Sequence, residues 1–501
     1  MEAESSSQSK ELRARPLQRA ALGSACAALA SGAVLRIWLL NKLFEVNGDS
    51  ELYGSMAKNL LLHGRYAVNN QTGALHTTLI RLPGYPLFLA ACFRLFGMEN
   101  YFAPACLQVV ADLAACVLLA LLAWRIAPGR WRMAAAQATL WLACLCPFAA
   151  AYCAEPLTEV PTLFCISLAL WAVARFQDRR DWASALAFTF AATCAALLRP
   201  DGALVGIAFA CPIVFGLLGA PSLRRLFVAS VGKSVGAPAL RRPFVARVGW
   251  PKLRMALVCL LLALAPFAAW TWRNQRVFQV FQPLAPRYAT DPGEETWPGW
   301  QRWVKTWCLD FVSTWQIYWN MPGDNLDLNQ LPSRAFDSPA QREQTARLFA
   351  GYDDNGDQMT PKLDSEFGRL AQERISAHPL RYYFWLPLGR VLDMTFRPRV
   401  ENLNIDLDWW AYSHHHFETR FSWFYAALNA VYVLLAIAGL WLRPRLWPWM
   451  VLYIVLRSLL LATLEAPEAR YTLEFFPIFF VLGGIAIGRV HAAITARSPA
   501  A

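Results

Sequence analysis

Charged side chains are scarce in this sequence. They make up 16% of its 501 residues, where a water-soluble globular chain carries about a quarter, so a soluble domain of this length is excluded. Cysteine outside apolar surroundings is scarcer still. Nearly all of the 12 cysteines fall within apolar blocks, and Cys308 alone lies well inside a polar region. A thiol in an apolar block packs as a small hydrophobe, so no disulfide framework is expected. Acids are outnumbered, 35 against 47 Lys and Arg, for a net charge of +12. Such a balance can mark nucleic-acid binding, but here the basic residues gather in short loops on one side of the apolar blocks. That is the pattern of Lys and Arg retained in the cytoplasm, and it excludes a nucleic-acid partner. No internal repeat of fixed period is present either, although the two halves of a secondary transporter usually show one.

Apolar and aromatic residues are plentiful: 56% of the chain is hydrophobic, with 22 Trp and 30 Phe. They cluster in blocks of roughly 18–22, enough to cross a hydrocarbon core of about 30 Å. Ten spans are expected, near 20–41, 102–125, 132–151, 157–175, 182–198, 203–219, 255–272, 421–442, 446–464 and 472–489. The fold class is therefore an all-α polytopic membrane protein of about ten transmembrane helices, with interfacial helices and a mixed outer segment. Arg13, Arg15 and Arg19 precede the first block, and "ALASGA" resembles a signal cleavage site. The run nevertheless continues to Leu40, so an uncleaved span is expected. Residues 1–12 are polar and Ser-rich, and residues 1–19 are expected as a disordered cytoplasmic tail. An N-terminal membrane module follows over 20–272, an outer segment over 273–420, and the last helices with a short cytoplasmic tail over 421–501.

Orientation follows from charge. With the N-terminus inside, the inner loops hold Arg125, Arg130 and Arg132, then Arg175, Arg179 and Arg180, then Arg443 and Arg445. The inner loop after the sixth span holds Arg224, Arg225, Lys233, Arg241, Arg242, Arg247, Lys252 and Arg254 with no acid. The short outer loops "AEPLTE", "RPDG" and "LEAPEARY" carry the carboxylates. Residues 42–101 and 273–420 then also lie outside, and the second is long enough to need structure of its own.

In the first outer loop, Tyr53, Met56, Ala57, Leu60 and Leu61 recur at helical spacing. Asn47, Asp49 or Ser50 can cap the start, and Gly64 suits the end. The apolar run between Arg81 and Gly97 is too short to span and is expected to lie in the interface. In the second, Trp300, Trp303, Trp307, Phe311 and Trp315 form one helical stripe, read as an interfacial face. Thr360-Pro361 opens a helix through roughly His378, and "HPLRYYFWLPLGRVLDMTF" reads as a further interfacial helix.

Carboxylates at outer span ends are Asp49, Glu51, Glu155, Glu159, Asp201, Glu465 and Glu468; Arg81, Arg199, Arg273 and Arg470 lie at the same level. Arginine's fork suits a phosphate, and a carboxylate can take a proton from an attacking hydroxyl. Such a set at a lipid boundary fits a ligand with a greasy tail and a phosphate. Each residue also has a plain structural reading. Asp49 can cap a helix, Glu155 and Glu159 can be solvated flanks four apart on one helix face, and the arginines can be snorkelling anchors. Within the spans, Asp112 and Arg457 stand out as costly charges that can pair with each other, and Arg36 is expected to snorkel outward.

Two metal-like patterns are discounted. "DDNGDQMTPKLD" places Asp353, Asn355, Asp357 and Asp364 at calcium-loop spacing, but the sixth position is Gln358 rather than Gly; a turn before a capped helix is expected instead. His414 to His416 cannot share one helix face, although His414 and His416 can share a strand face.

The chain resembles the GT-C superfamily of integral membrane glycosyltransferases. Its closer likeness is to the bacterial polyprenyl-phosphate-sugar branch, which includes protein O-mannosyltransferase-like enzymes and the lipid A aminoarabinose transferase. The likeness runs from Leu35 to Gly488 through "GDSELYGSMAKNLLLHGRY", "RLPGYPLFLA", "LTEVPTLF", "LLRPDGAL", "WTWRN", "ERISAHPLRYY" and "EARYTLEFFPIFF".

The resemblance implies catalytic roles for Asp49, in the first outer loop, and Glu159, at the outer end of span four. Many relatives have an adjacent Asp-Glu pair where this chain reads "DSE". The implied substrate-binding residues are Glu51, Tyr53, Arg81, Tyr85, Glu155, Arg199, Arg470 and Tyr471, with phosphate held by Arg81, Arg199 or Arg470. No metal ligand and no certain cofactor is assigned, and a divalent cation is compatible with the site. The expected partners are a polyprenyl-phosphate-sugar donor, an acceptor lipid, glycan or protein, and membrane lipids. The implied activity is inverting sugar transfer at the outer face of a bacterial inner membrane. The rivals are a secondary transporter or flippase of a lipid-linked or polar substrate, and a non-catalytic scaffold.

Overall fold

A computed structural model describes residues 2–46, 48–70, 73–218, 250–403, 405–408, 410 and 414–497. Helices dominate, and among the described residues the expected apolar blocks fall on helices, that of 132–151 on two. Among the described residues, six helices are long and apolar enough to cross a membrane, or seven if one bent pair counts as a span. Trp182–Leu198, Pro200–Val214 and Trp447–Leu461 are apolar but shorter. The expected basic loop from Arg224 to Arg247 lies outside the described residues. The chain forms two compact units.

The first unit comprises Met1–Ala289, Tyr432–Tyr453 and Glu474–Ala501. It opens with α1, Glu2–Leu43. The first outer loop then supplies α2 (Asp49–His63), a short antiparallel hairpin of β1 (Ala67–Asn69) and β2 (Leu75–Thr77), and α3 (Gly84–Phe96). Gly64 ends α2 in the left-handed conformation and donates to Leu60 O, as the sequence predicts. Tyr53, Ala57, Tyr85, Leu89 and Phe93 join α2 to α3 in one apolar cluster.

The membrane helices of this unit are α4 (Phe102–Ile126), α5 (Arg132–Cys144), α6 (Pro147–Ala151), α7 (Glu159–Arg179), α8 (Trp182–Leu198), α9 (Ala203–Leu218) and α10 (Trp250–Phe278). The chain bends by 45° between α5 and the segment that follows it. Pro147 has no N–H to give the Ala143 carbonyl four residues back, and an orphaned carbonyl in hydrocarbon costs several kcal/mol.

Arg36 of α1 meets that need. Its Nη2 donates to Ala143 O at 3.3 Å, and its Nη1 to Cys144 O at 2.8 Å and Gly32 O at 2.9 Å. Its Nε donates to Asp112 Oδ2 at 2.7 Å. Arg36 is fully buried. It does not snorkel, because the helix break offers it acceptors at its own depth. Asp112 accordingly pairs with Arg36, not with Arg457 as expected.

The second unit comprises Thr290–Val431 and Ile454–Leu473. Its helices include α11 (Pro298–Lys305), α12 (Pro339–Asp353), α13 (Pro361–Ala377) and α14 (Leu386–Phe396). Trp300, Trp303 and Trp307 are fully buried among Phe349, Tyr352 and Phe367. Most of the stripe read as an interfacial face is therefore the core of this unit, whereas Trp315 is exposed. Spacing gives the stripe, but only packing says what covers it. Thr360 caps α13 by accepting from the Leu363 N–H. Asp364 accepts from the Gly299 and Trp300 N–H groups at 3.1 and 2.9 Å. It thus anchors α11 to α13, as a structural residue rather than a calcium ligand. Leu380, Tyr383, Phe384, Trp385, Leu388 and Leu392 form an exposed apolar stretch around α14, as an interfacial helix requires. Arg457 donates to Tyr471 O at 3.0 and 2.8 Å.

Three helices complete the chain: α15 (His416–Trp441), α16 (Trp447–Leu461) and α17 (Phe476–Arg497). Within the first unit α17 packs tightly on α5. A Cβ on Gly484 or Gly488 would meet the α5 backbone at 2.7 Å.

Candidate active site

Asp49 is the first residue of α2, and the N-cap position before it is Gly48. Asp49 Oδ1 accepts from Arg81 Nη2 at 2.8 Å, with both side chains about a quarter exposed, at 26%. Arg81 stands three residues before α3, and the position of α3 is set by Gly84. A Cβ there would come within 2.6 Å of the Leu197 carbonyl at the end of α8. The glycine of "RLPGYP" is thus a packing requirement, and it brings Arg81 toward the loop that carries Arg199.

Arg199 follows α8 in an extended conformation, which Pro200 imposes on its predecessor. Its Nη1 donates to Glu159 Oε1 at 2.8 Å. Its Nε lies 3.3 Å from Asp201 Oδ1 and 3.5 Å from Glu474 Oε1. Glu474 Oε2 accepts from the Tyr453 hydroxyl at 3.0 Å. Glu159 and Glu474 are each only 3% exposed. Glu159 opens α7, where the helix dipole favours a negative charge.

Tyr53 joins the two clusters. It lies one turn after Asp49 on the same face of α2, buried edge-on against Tyr85 with ring centroids 5.2 Å apart. Burial pushes its hydroxyl up to about 12; Asp49 and Glu159 add to the rise, while Arg81 and Arg199 oppose it. One hydroxyl therefore feels both ion pairs. Tyr85 is likewise pushed well above the ordinary tyrosine value by burial, with Glu159 and Tyr53 contributing. Its hydroxyl donates to Gln108 Oε1 at 2.7 Å, and Gln108 Nε2 donates to Glu155 O at 2.7 Å.

Asp49, Tyr53, Arg81, Tyr85, Glu159 and Arg199 thus fall in one neighbourhood of the first unit. Glu51 stands apart from them. It is exposed, and with Ser55, Lys58, Asn69, Glu99 and Tyr101 it lines a separate depression of about 310 Å³ on the other face of α2. Two residues along a helix is a rotation of about 200°, so "DSE" separates what an adjacent pair would hold closer.

Glu155 does not share a helix face with Glu159. It has extended dihedrals before Pro156, and its contact to Gln108 is through the backbone. Arg273 is tied to the first outer loop, donating to Thr78 O at 2.9 Å and Tyr66 O at 3.0 Å. Arg470 and Tyr471 belong to the second unit. There Arg470 Nε donates to Glu468 Oε2 at 2.5 Å, and the Tyr471 hydroxyl donates to the other Glu468 oxygen. Sequence reasoning missed Glu474, Gln108 and Tyr453 and left Asp201 without a role. The signal for Glu474 was an acid beside the apolar run "FFPIFFVL", where a charge is costly.

Residues 81–240 match the family model for dolichyl-phosphate-mannose-protein mannosyltransferases. No curated protein sequence matches the chain. Among solved structures, the chain is similar to the Archaeoglobus fulgidus oligosaccharyltransferase tethered with an acceptor peptide. The identity is 11% and the TM-score 0.49, over 94% of this chain and 50% of that one. The chain thus spans half the length of that archaeal protein. It is also similar to ArnT from Cupriavidus metallidurans bound to undecaprenyl phosphate, with 13% identity and a TM-score of 0.38, over 94% of this chain and 78% of that one. The matched stretch, residues 81–240, includes Arg81, Tyr85, Glu155, Glu159 and Arg199.

Proposed function

We propose that this protein is an inverting glycosyltransferase. It moves a sugar from a polyprenyl-phosphate donor to a hydroxyl or phosphate of a lipid, glycan or protein, at the periplasmic face of a bacterial inner membrane. Both termini are cytoplasmic. The observation that carries this reading is the meeting of Asp49–Arg81 and Glu159–Arg199 around Tyr53. The family match over residues 81–240 supports it.

The roles follow from exposure and charge. Arg81 and Arg199 take the donor phosphate through charge-assisted hydrogen bonds. As the phosphate draws Arg81 away, the more open Asp49 carboxylate is released to face the acceptor. It accepts the acceptor's proton while the acceptor oxygen bonds to the anomeric carbon. The bond from that carbon to the phosphate oxygen breaks, and its electron pair leaves on the polyprenyl phosphate. Glu159, Asp201 and Glu474 hold Arg199 in place. One carboxylate suffices for a single displacement with inversion; retention would need a second on the opposite face of the sugar. The mid-membrane carboxylate Asp112 serves the bend in α5–α6 through Arg36.

The test uses the purified full chain with undecaprenyl-phosphate-linked sugars and an envelope extract as acceptor. Asp49→Asn is expected to lower the transfer rate by about 10²–10⁴ while donor binding persists. Unimpaired transfer by this variant would remove Asp49 from the mechanism. Donor counterflow without transfer would replace the enzyme by a flippase.

A further inference from the structure

The residues just before α15 and in its first turn hold a cluster that sugar transfer does not use. Asp406, His415 and Glu418 each bring one ligand atom to within 4.8 Å of the other two. The Nδ1 atom of His415 stands 3.3 Å from Glu418 Oε2. His415 precedes α15 and Glu418 lies in its first turn, so the two share a side of the chain. The His414 ring packs edge-on against that of His415, with centroids 4.4 Å apart.

The His415–Glu418 separation has the dimension of a metal site. In a tetrahedral zinc site the ligand atoms lie about 2.0–2.1 Å from the ion. The edge of such a tetrahedron is about 1.63 times that length, or roughly 3.3–3.4 Å. The His415–Glu418 separation equals this edge. Asp406 is exposed, and its carboxylate lies within 4.8 Å of the other two ligand atoms. The donor set selects the metal. Calcium takes oxygen ligands and magnesium keeps an octahedral, mostly water shell, whereas imidazole with carboxylate suits zinc and its neighbours. Two carboxylates balance a divalent charge, and three protein ligands leave a fourth position for water.

We propose that Asp406, His415 and Glu418 bind one zinc-like divalent ion, which clips the segment ahead of α15 to the first turn of that helix. The sequence reading discounted a metal at the histidine run, where only His414 and His416 can share a strand face. The helix begins at His416, so the middle histidine takes the place beside Glu418.

The rival is an ordinary imidazolium–carboxylate pair, and pH separates the two. The ion pair needs a protonated imidazole and weakens as pH rises. Metal binding needs a neutral one and strengthens. Purified full-length protein, stripped with chelator, is titrated with Zn²⁺ by calorimetry and with Co²⁺ by visible absorption, at pH 6 and pH 7.5. One equivalent is expected, bound more tightly at pH 7.5, with the d–d bands of a four-coordinate cobalt site. His415→Ala and Glu418→Ala each weaken binding at least about tenfold, whereas His414→Ala leaves it within about twofold. If His415→Ala does not fold, Asp406→Asn at an exposed position gives the same reading. Binding unchanged in all three ligand variants, or no stoichiometric binding to the unmodified protein, overturns the site.

Discussion

At the scale of single residues, the site depends on how tightly each charge is held. Asp49 and Arg81 form a half-open pair, which a phosphate can divide. Glu159 and Glu474 are buried against Arg199, and breaking a buried pair costs several times more than breaking an exposed one. Glu474→Gln keeps the volume and the hydrogen bond to Tyr453 but removes one charge beside Arg199. Its expected effect is a several-fold rise in donor KM with a smaller change in kcat. Steady-state transfer kinetics across donor concentrations measure this. An unchanged KM would show that Glu159 and Asp201 hold Arg199 without it. Asp49 also shows what a single position conceals. Its place at the start of a helix predicts a cap, and only its partner 32 residues away reveals another use.

At the scale of elements, helix ends were the most legible features. Gly64 and Thr360 occur where local backbone chemistry demands them. The bend between α5 and α6 was not legible, although Pro147 was in plain view, because its repair comes from another helix. Replacing Arg36 by Leu should leave the Ala143 and Cys144 carbonyls without that donor and Asp112 without its counter-charge. A loss of about 3–5 kcal/mol is expected, read as a lower midpoint in thermal unfolding in detergent. Arg36→Leu with Asp112→Leu should recover part of that loss.

Helix α14 carries a second element-scale prediction. Burial pushes the Asp393 carboxyl up to about 6, against the pull of Arg397. The folded state then holds this proton more tightly than the unfolded chain, whose Asp titrates near about 3.9. The contribution is most favourable below about pH 4 and is lost as pH rises to about 6. Asp393→Asn should remove that slope from the pH dependence of unfolding, followed by tryptophan fluorescence of the Trp300–Trp307 core.

At the scale of the whole molecule, hydropathy yields helices, and charge bias leads to an expected orientation. Expected from the bias is that a cysteine placed at Gly73, in the hairpin turn, reacts with an impermeant maleimide added to intact spheroplasts. A cysteine at Arg180, between α7 and α8, should react only after permeabilisation. Reversed labelling would put the acid-rich site on the cytoplasmic side and remove a periplasmic reaction. The tryptophan stripe shows where reading by pattern ended. A period of 3.6 with large aromatic residues fits a membrane interface and a soluble core equally well, and the surrounding Phe349, Tyr352 and Phe367 decide for the core.

The sequence by itself determined that this chain is helical and crosses a membrane repeatedly, because hydropathy sums over neighbouring residues. Local charge bias likewise leads to an expected sidedness, with the carboxylates opposite the basic loops. Only the tertiary structure decided which charges meet. Arg36 finds Asp112 across 76 residues, and Arg199 finds Glu159 across 40. Such partnerships depend on the depth and rotation at which distant helices pack, and those are set by close approaches such as Gly84 on Leu197, which no local pattern contains.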